Sequence, residues 1–470
     1  MNIEMMICNI DATIREVMLC IDKNAKGTVF IVNNEKILVG ILTDGDIRRL
    51  LLGGCGLNDK IKDNMRQEFV FAYQSEKADE LMKKFNTHIR IIPIVDEEMH
   101  LVNYTEYDEN LHIALAQPQL IGNEYKYLMD AFLSTWISST GKYITKFEER
   151  FSEYCGVKYG VATSNGTTAL HLALEALGIG EGCEVIVPDM TFAATINAVL
   201  YTGATPVIVD IEEDSWCIDP DEIEKAITPK TKAIIPVHIY GQPCDMGRIC
   251  EIAQKYNLYI IEDCAEAHGA EWNNKKVGSF GIISCFSFFG NKVITTGEGG
   301  MCITDSEELN NRMRVLRDHG MSKERKYYHE VIGFNYRMTN LQAAIGTAQI
   351  ERIDEILKWR GALEETYKKV LENVSSVTLQ KNDLEGRKKI AWLVSILVDE
   401  ARRDEILQKL KDNGIDVRAF FIPLSEMNIY KKYAKECVVS KKISKMGINL
   451  PTTTEVTEKV IKKIAQIISE

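Results

Sequence analysis

The stretch LYIIEDCAEAHGA (258–270) decides how the rest of the chain is read. A short apolar run that ends abruptly in two carboxylates has the pattern of a strand buried on both faces. The pattern recurs at EVIVPD (184–189), TPVIVD (205–210) and KAIIPVHIY (232–240), with helical spacing in between. Strands alternating with helices predict an α/β fold whose mainly parallel sheet is covered on both sides. Ligands of such sheets gather beyond the carboxyl ends of the strands, where Glu262 and Asp263 fall.

Toward the C-terminus the style changes near residue 380. AWLVSILVD (391–399) and the terminal helix EVTEKVIKKIAQII read as a small α+β domain, giving a large domain over 123–380 and a small one over 381–470. Toward the N-terminus a different segment occupies 1–115. There GTVFIV (27–32), a turn at Asn33-Asn34 and KILVGIL (36–42) lead into Thr43-Asp44-Gly45-Asp46 and a helix. ADELMKKF (78–85), IRIIPIVD (89–96) and LVNYTEYDEN (101–110) repeat that order less perfectly, which suggests a duplicated α/β unit. Each copy carries T-x-x-D, at Thr43/Asp46 and at Thr105/Asp108. The motif serves a ribose and phosphate at a helix start, and it is equally a plain helix cap.

Composition narrows the function classes. The 470 residues carry a formal charge of -12, which argues against a nucleic-acid binder, since phosphate backbones are held by surplus Lys and Arg. No apolar run approaches the roughly 20 residues of a membrane helix. The first residues lack the basic-then-apolar order of a signal peptide. The 12 cysteines form no zinc-type spacing and read as reduced, so a cytoplasmic protein without a metal site is expected.

Three polar segments carry candidate chemistry. In SFFGNKVITTGEGG (287–300), Lys292 lies between an aromatic run and a Gly-rich turn. Desolvation there would lower its pKa and make it a Schiff-base nucleophile, with Ser287 able to donate to a phosphate; a solvated surface lysine fits the same letters. Asp263 could hold a pyridine nitrogen protonated and Glu266 reach a ring hydroxyl, or Asp263 could simply cap its turn. In ATSNGTTALHLAL (162–174), Gly166 and Thr167 open a helix whose amides bind phosphate without basic charge. Phe192, after the strand EVIVPD, could stack on a flat ring or join the core.

The order of these pieces is that of a fold-type I enzyme of pyridoxal 5'-phosphate (PLP). Residues from about 123 to 470 resemble the sugar-nucleotide aminotransferases, most of all their perosamine-forming branch. The resemblance rests on WISSTGKYITKFEERF (136–151), SNGTTALHLAL (164–174), IPVHIYGQPCDM (235–246), IEDCAEAHGA (261–270), FSFFGNKVITTGEGGM (286–301) and GFNYRMTNLQAAIG (333–346). The segment around GILTDGDIRRLLL (40–52) resembles a tandem cystathionine-beta-synthase (CBS) pair, a module that often takes adenine nucleotides.

The resemblance implies that Lys292 links to PLP and moves the proton, with Asp263 on the pyridinium nitrogen and Glu266 near the ring hydroxyl. It places Phe192 on the ring, and Gly166, Thr167 and Ser287 at the phosphate. It places Asn335 of a neighbouring subunit there too, hence a homodimer or larger homo-oligomer. Arg337 is a candidate for a substrate anion or a structural ion pair. The implied reaction takes the amino group of L-glutamate to C4 of a nucleotide-linked 4-keto-6-deoxy sugar, GDP-4-keto-6-deoxymannose being favoured, for surface polysaccharide. In VRAFFIPLSEM (417–427) the family often has Pro and His where this chain has Ala419 and Ser425. That departure keeps a UDP- or dTDP-linked sugar open. A PLP-binding regulator with a CBS sensor is the rival from another class.

Overall fold

The computed structural model describes residues 3–470 except 64, 66–67, 77–79, 82–83, 86–88, 107–111 and 323. The chain divides into two compact units, Met1–Ile113 with Asp412–Gly414, and Ala114–Lys411 with Ile415–Glu470. Among the described residues no helix is long and apolar enough to cross a membrane, and all the cysteines are free thiols.

The first unit repeats itself. Strands β1 (Ile7–Asn9), β2 (Thr28–Val32) and β3 (Leu38–Thr43) form one sheet; β4 (Ala72–Tyr73), β5 (Ile91–Val95) and β6 (Leu101–Glu106) form another. In each, the first pair is parallel and the second antiparallel, with a register shift at Ile31/Val32 and again at Ile94/Val95. The turns match as well. Asn33 Oδ1 accepts from the N–H groups of Glu35 and Ile37, and Asp96 Oδ1 from those of Glu98 and His100. Lys36 and Met99 close the two turns at φ of 63° and 67°. Ile14, Val17, Ile21, Val29, Ile31, Leu42 and Ile47 make the core of the first half.

The second unit is built on a seven-stranded sheet. Its strands are β7 (Tyr159–Thr163), β8 (Glu184–Pro188), β9 (Thr205–Val209), β10 (Thr231–Ile234), β11 (Tyr259–Asp263), β14 (Ile283–Ser287) and β15 (Gly300–Thr304). The order across the sheet is β7-β15-β14-β11-β10-β8-β9. All pairings are parallel except the two made by β15, so β15 alone runs against the other six. Successive residues enter different cores. Ile186, Ile234 and Ile260 pack in one; Val185, Val187, Ala233, Ile235 and Ile261 pack in the other. Burial on both faces is why these strands read as unbroken apolar runs.

Between β11 and β14 lies a short hairpin, β12 (Glu271–Trp272) and β13 (Lys275–Lys276), extended by β17 (Arg387–Lys388). The C-terminal part forms an antiparallel sheet of β16 (Thr378–Leu379), β18 (Val394–Leu397), β20 (Gly447–Leu450) and β19 (Arg418–Ala419), in that order. Trp392, just before β18, lies against Lys292, and Phe421, just after β19, lies beside Phe192.

Candidate active site

Alternation along β11 sends its two terminal carboxylates to opposite faces. Glu262 has no solvent exposure. It accepts from the N–H groups of Gly278 (2.8 Å), Phe280 (2.8 Å) and Gly281 (2.7 Å), from Ser284 Oγ (2.9 Å), and pairs with His238 Nε2 at 3.1 Å. Burial pushes its pKa up, but the His238 contact and the main-chain donors outweigh that and hold it below the usual carboxylate range. His238 Nδ1 accepts from Cys244 N–H, so the ring proton sits on Nε2 and is donated to Glu262. His238, Glu262 and Cys264 lie within metal-ligand reach of one another. Five donors already occupy the carboxylate and both ring nitrogens are used, which makes this group a hydrogen-bonded brace.

Asp263 faces the other way. Its Oδ2 accepts from Thr195 Oγ1 at 2.8 Å and its Oδ1 from Ala265 N–H at 3.2 Å. Burial nevertheless raises its pKa. A carboxylate in that position is short of a cationic partner.

Lys292 and Glu266 complete a second layer. Lys292 Nζ lies 3.5 Å from Glu266 Oε1, and the two side chains are 12% and 6% exposed. The ammonium also sits 4.0 Å from the ring centroid of Trp392. Burial lowers the lysine pKa, with the charge of Arg418 acting in the same direction and Glu266 and Asp263 against it. Burial raises that of Glu266, whose other oxygen accepts from Tyr240 N–H at 2.9 Å. The loop that carries Lys292 is anchored where Trp392 Nε1 donates to Asn291 C=O at 2.7 Å. A desolvated amine between a carboxylate and an indole suits proton transfer near neutral pH.

The helix Gly166–Ala176 begins beside this layer. Asn165 caps it by accepting from Thr168 N–H, so the first-turn amides of Gly166 and Thr167 have no partner within the helix. A Cβ on Gly166 would come 2.8 Å from Ser287 Cβ. Glycine there lets the helix start lie directly against the hydroxyl that ends β14, which puts open amides and a hydroxyl together as an anion cradle. The fit to PLP is therefore chemical: an amine, a buried carboxylate short of a cation, and an anion cradle on one edge of one sheet. Phe192 follows β8, is 61% exposed, and has its ring centroid 5.9 Å from that of Phe421.

The remaining expected residues lie elsewhere. Asn335 is exposed; its Oδ1 accepts from Arg337 Nε at 3.0 Å, while Arg337 Nη1 pairs with Asp318 at 2.9 Å. Arg337 is thus committed within its own chain. In the first unit, Asp46 Oδ2 accepts from Thr43 Oγ1 (2.6 Å) and Thr43 N–H (3.0 Å), and its Oδ1 from Arg49 (2.6 Å). Thr105 lies within β6, opposite Ile92. Asp108 lies outside the described residues.

Sequence reasoning missed Thr195, Tyr240, Trp392 and Phe421. Thr195 follows Phe192 at helical spacing, a signal that was available. Trp392 and Phe421 arrive from beyond residue 380, and no local pattern ties them to the sheet edge.

Residues 118–469 match the model of the DegT/DnrJ/EryC1/StrS aminotransferase family, and residues 1–53 that of the CBS domain. The chain is 46% identical over 357 residues to the GDP-perosamine synthase of Caulobacter vibrioides, covering 75% of this chain and 96% of that one. Against the GDP-perosamine synthase of Escherichia coli O157:H7 it is 45% identical over 360 residues, 76% and 98% of the two chains. Among solved structures, Spr1654 of Streptococcus pneumoniae in its PMP-form gives a TM-score of 0.72 at 28% identity, covering 76% of this chain and 97% of that one.

Proposed function

The chain belongs to the DegT/DnrJ/EryC1/StrS aminotransferase family of PLP-dependent nucleotide-sugar enzymes, and from that membership we propose that it transfers the amino group of L-glutamate to C4 of a nucleotide-linked 4-keto-6-deoxy sugar. GDP-4-keto-6-deoxymannose is the favoured acceptor, and GDP-perosamine the product, on the strength of the 46% identity to an enzyme of that name. The observation that carries the reading is the desolvated Lys292, 3.5 Å from Glu266 and sharing the sheet edge with Asp263.

PLP, when bound, supplies an electron sink and carries the amino group between donor and acceptor. Lys292 holds the cofactor and then moves protons at the donor α-carbon and at the sugar C4. Asp263, oriented by Thr195, keeps the pyridine nitrogen protonated. Glu266 would serve the ring hydroxyl, and Phe192 would stack on the ring. The amides of Gly166 and Thr167 and the Ser287 hydroxyl take the phosphate. Asn335, its carbonyl held by Arg337, reaches the phosphate of a second subunit in a homodimer or larger assembly. The domains are a CBS pair over 1–115, a cofactor domain over 123–380 and a small domain over 381–470, working in the cytoplasm on surface-polysaccharide precursors. An adenine nucleotide at the CBS pair would have to displace Arg49 from Asp46.

One observation favours a different acceptor. Ser425, where relatives often have His, is buried and gives its hydroxyl to Asp189 Oδ2 at 2.8 Å, so it is withdrawn from any substrate. A UDP- or dTDP-linked keto sugar is the second reading. The test is an absorbance titration of the PLP-loaded protein with L-glutamate, followed by a panel of GDP-, UDP- and dTDP-linked 4-keto-6-deoxy sugars. Glutamate should bleach the cofactor band and one sugar restore it. A band indifferent to glutamate would overturn the donor assignment.

A further inference from the structure

Tyr240 stands where two parts of the site meet. It follows the main-chain pairing of His238 N–H with Asp263 C=O, four residues beyond the end of β10, and it is wholly enclosed. Its backbone lies at φ 51°, ψ 29°, a left-handed conformation that a bulky side chain rarely adopts. The next residue, Gly241, has φ 88°, and a Cβ there would fall 2.0 Å from Ile390 C=O. The chain is therefore driven through this turn by packing against the C-terminal part, and unusual backbone of this kind persists only where its surroundings enforce it.

The turn aims three groups of Tyr240. Its N–H donates to Glu266 Oε2 at 2.9 Å, the oxygen not facing Lys292. Its phenol oxygen accepts from Phe421 N–H at 3.1 Å. Its ring lies nearly parallel to those of Phe421 (centroids 5.5 Å, 25°) and Trp392 (6.2 Å, 21°). Trp392 in turn covers Lys292 Nζ at 4.0 Å, and Phe421 stands 5.9 Å from Phe192. An unbroken run of contacts thus leads from Lys292 through Trp392, Tyr240 and Phe421 to Phe192. Burial keeps the phenol protonated far above neutral pH, so Tyr240 is a fixed hydrogen-bonding group and not an acid or base of the reaction.

We propose that Tyr240 is a positioning residue that holds two walls of the site at once: its main-chain N–H keeps Glu266 against Lys292, and its phenol oxygen keeps the segment around Phe421 in place beside Phe192. The first link serves proton transfer by Lys292. The second fixes the wall made by Phe421 and Phe192, which is here assigned to the sugar. The proposal rests on the transaminase reading and adds a separation of effects to it.

Two variants test it. Tyr240→Phe retains the ring and the main-chain N–H and removes the phenol oxygen that the Phe421 N–H and the Asn449 side chain both contact. The KM for the nucleotide sugar should rise roughly five- to tenfold, the order of one unsatisfied buried donor, and this should exceed any change in the rate of the glutamate half-reaction. Tyr240→Gly accepts the left-handed backbone but frees the turn. The pH at which the bound cofactor's absorbance changes reports the Lys292 nitrogen. It is faced by Glu266, Asp263, Arg418 and His268. With Glu266 released, that midpoint should fall by roughly one pH unit, the effect of weakening one close opposite charge. No such fall should occur in a Glu266→Gln background.

A Tyr240→Phe protein that loses both half-reactions equally, or neither, would overturn the proposal, and so would a Tyr240→Gly midpoint that stays or rises. Should Tyr240→Gly fail to fold, Tyr240→Phe decides alone. The transaminase reading fails separately, if the wild-type protein itself does not respond to glutamate.

Discussion

Replacing Asp263 with Asn separates the chemistry of that carboxylate from its place in the fold. The new amide keeps the shape of the side chain. Its oxygen can still accept from Ala265 N–H, now 3.2 Å from Oδ1, with the amino group turned toward Thr195. The Thr195 hydroxyl already lies 2.9 Å from Thr191 Oγ1 and can rotate to accept from the amide while donating to Thr191. No buried polar atom is stranded, so the protein should fold with near-normal stability. What is lost is the buried negative charge that the proposed function sets opposite the pyridine nitrogen. Removing one member of a buried, hydrogen-bonded charge pair costs about 3–5 kcal/mol. Applied to the barrier, that is a loss of about 10²–10⁴ in rate. The assay is single-turnover bleaching of the cofactor band by L-glutamate in a stopped-flow instrument, beside a urea unfolding curve for each protein. An Asp263→Asn rate within about threefold of the wild-type, from a folded protein, would refute the assignment of Asp263 to the ring nitrogen. An unfolded protein would refute the claim that Thr195 and Thr191 can absorb the amide.

Lys292→Ala should abolish turnover while leaving a folded protein, because Glu266 can take up a proton once its cation is gone; residual activity of more than about one part in a hundred would contradict its role in proton transfer. Gly166→Ala places a methyl 2.8 Å from Ser287 Cβ and should weaken PLP binding by about tenfold or more, read by equilibrium dialysis. His268 is enclosed by Phe151, Phe286 and Phe288, and burial drops its pKa from 6.5 to about 3. The unfolded chain therefore binds a proton below pH 6.5 that the folded chain refuses, and stability should fall by about 1.4 kcal/mol per pH unit from there down toward pH 3. Urea unfolding of wild-type and His268→Gln proteins at pH 7 and pH 5 checks this, since only the wild-type should carry that slope.

Much of the architecture was legible because both cores press on the same strands. Burial on two faces forces runs such as EVIVPD and LYIIED to be apolar throughout, and the polar residue that ends each run marks the ligand edge. The helix starts at Thr43 and Asn165 were legible for the same local reason, since a cap bonds within three residues of itself. The helix start at Asn165 leaves two amides open beside Ser287; at Thr43 the cap consumes the very carboxylate that would serve a ribose. Sequence alone could not separate those outcomes. Asp263 was singled out over its neighbour Glu262 by resemblance and not by any physical difference in the letters; what distinguishes the two physically is that five donors converge on Glu262 from residues 238 and 278–284. Tyr240, Trp392 and Phe421 were hidden because their meeting depends on how the C-terminal sheet settles, a long-range event with no short-range signature. Arg337, which the sequence left open between a substrate anion and a structural ion pair, pairs with Asp318.

The reversal of β15 has a consequence for how the chain tolerates change. Parallel neighbours are joined by long crossovers, which can gain or lose residues far from the sheet. β14 and β15 are antiparallel neighbours, so the segment 288–299 between them leaves and re-enters at a single edge. Lys292 is carried there, tied at one end by Ser287 opposite Gly300 and in the middle by Trp392 on Asn291. An insertion in this segment has nowhere to be absorbed and must move the amine itself. Length drift among descendants of this chain should therefore spare residues 288–299 and collect in the crossovers that join the parallel strands.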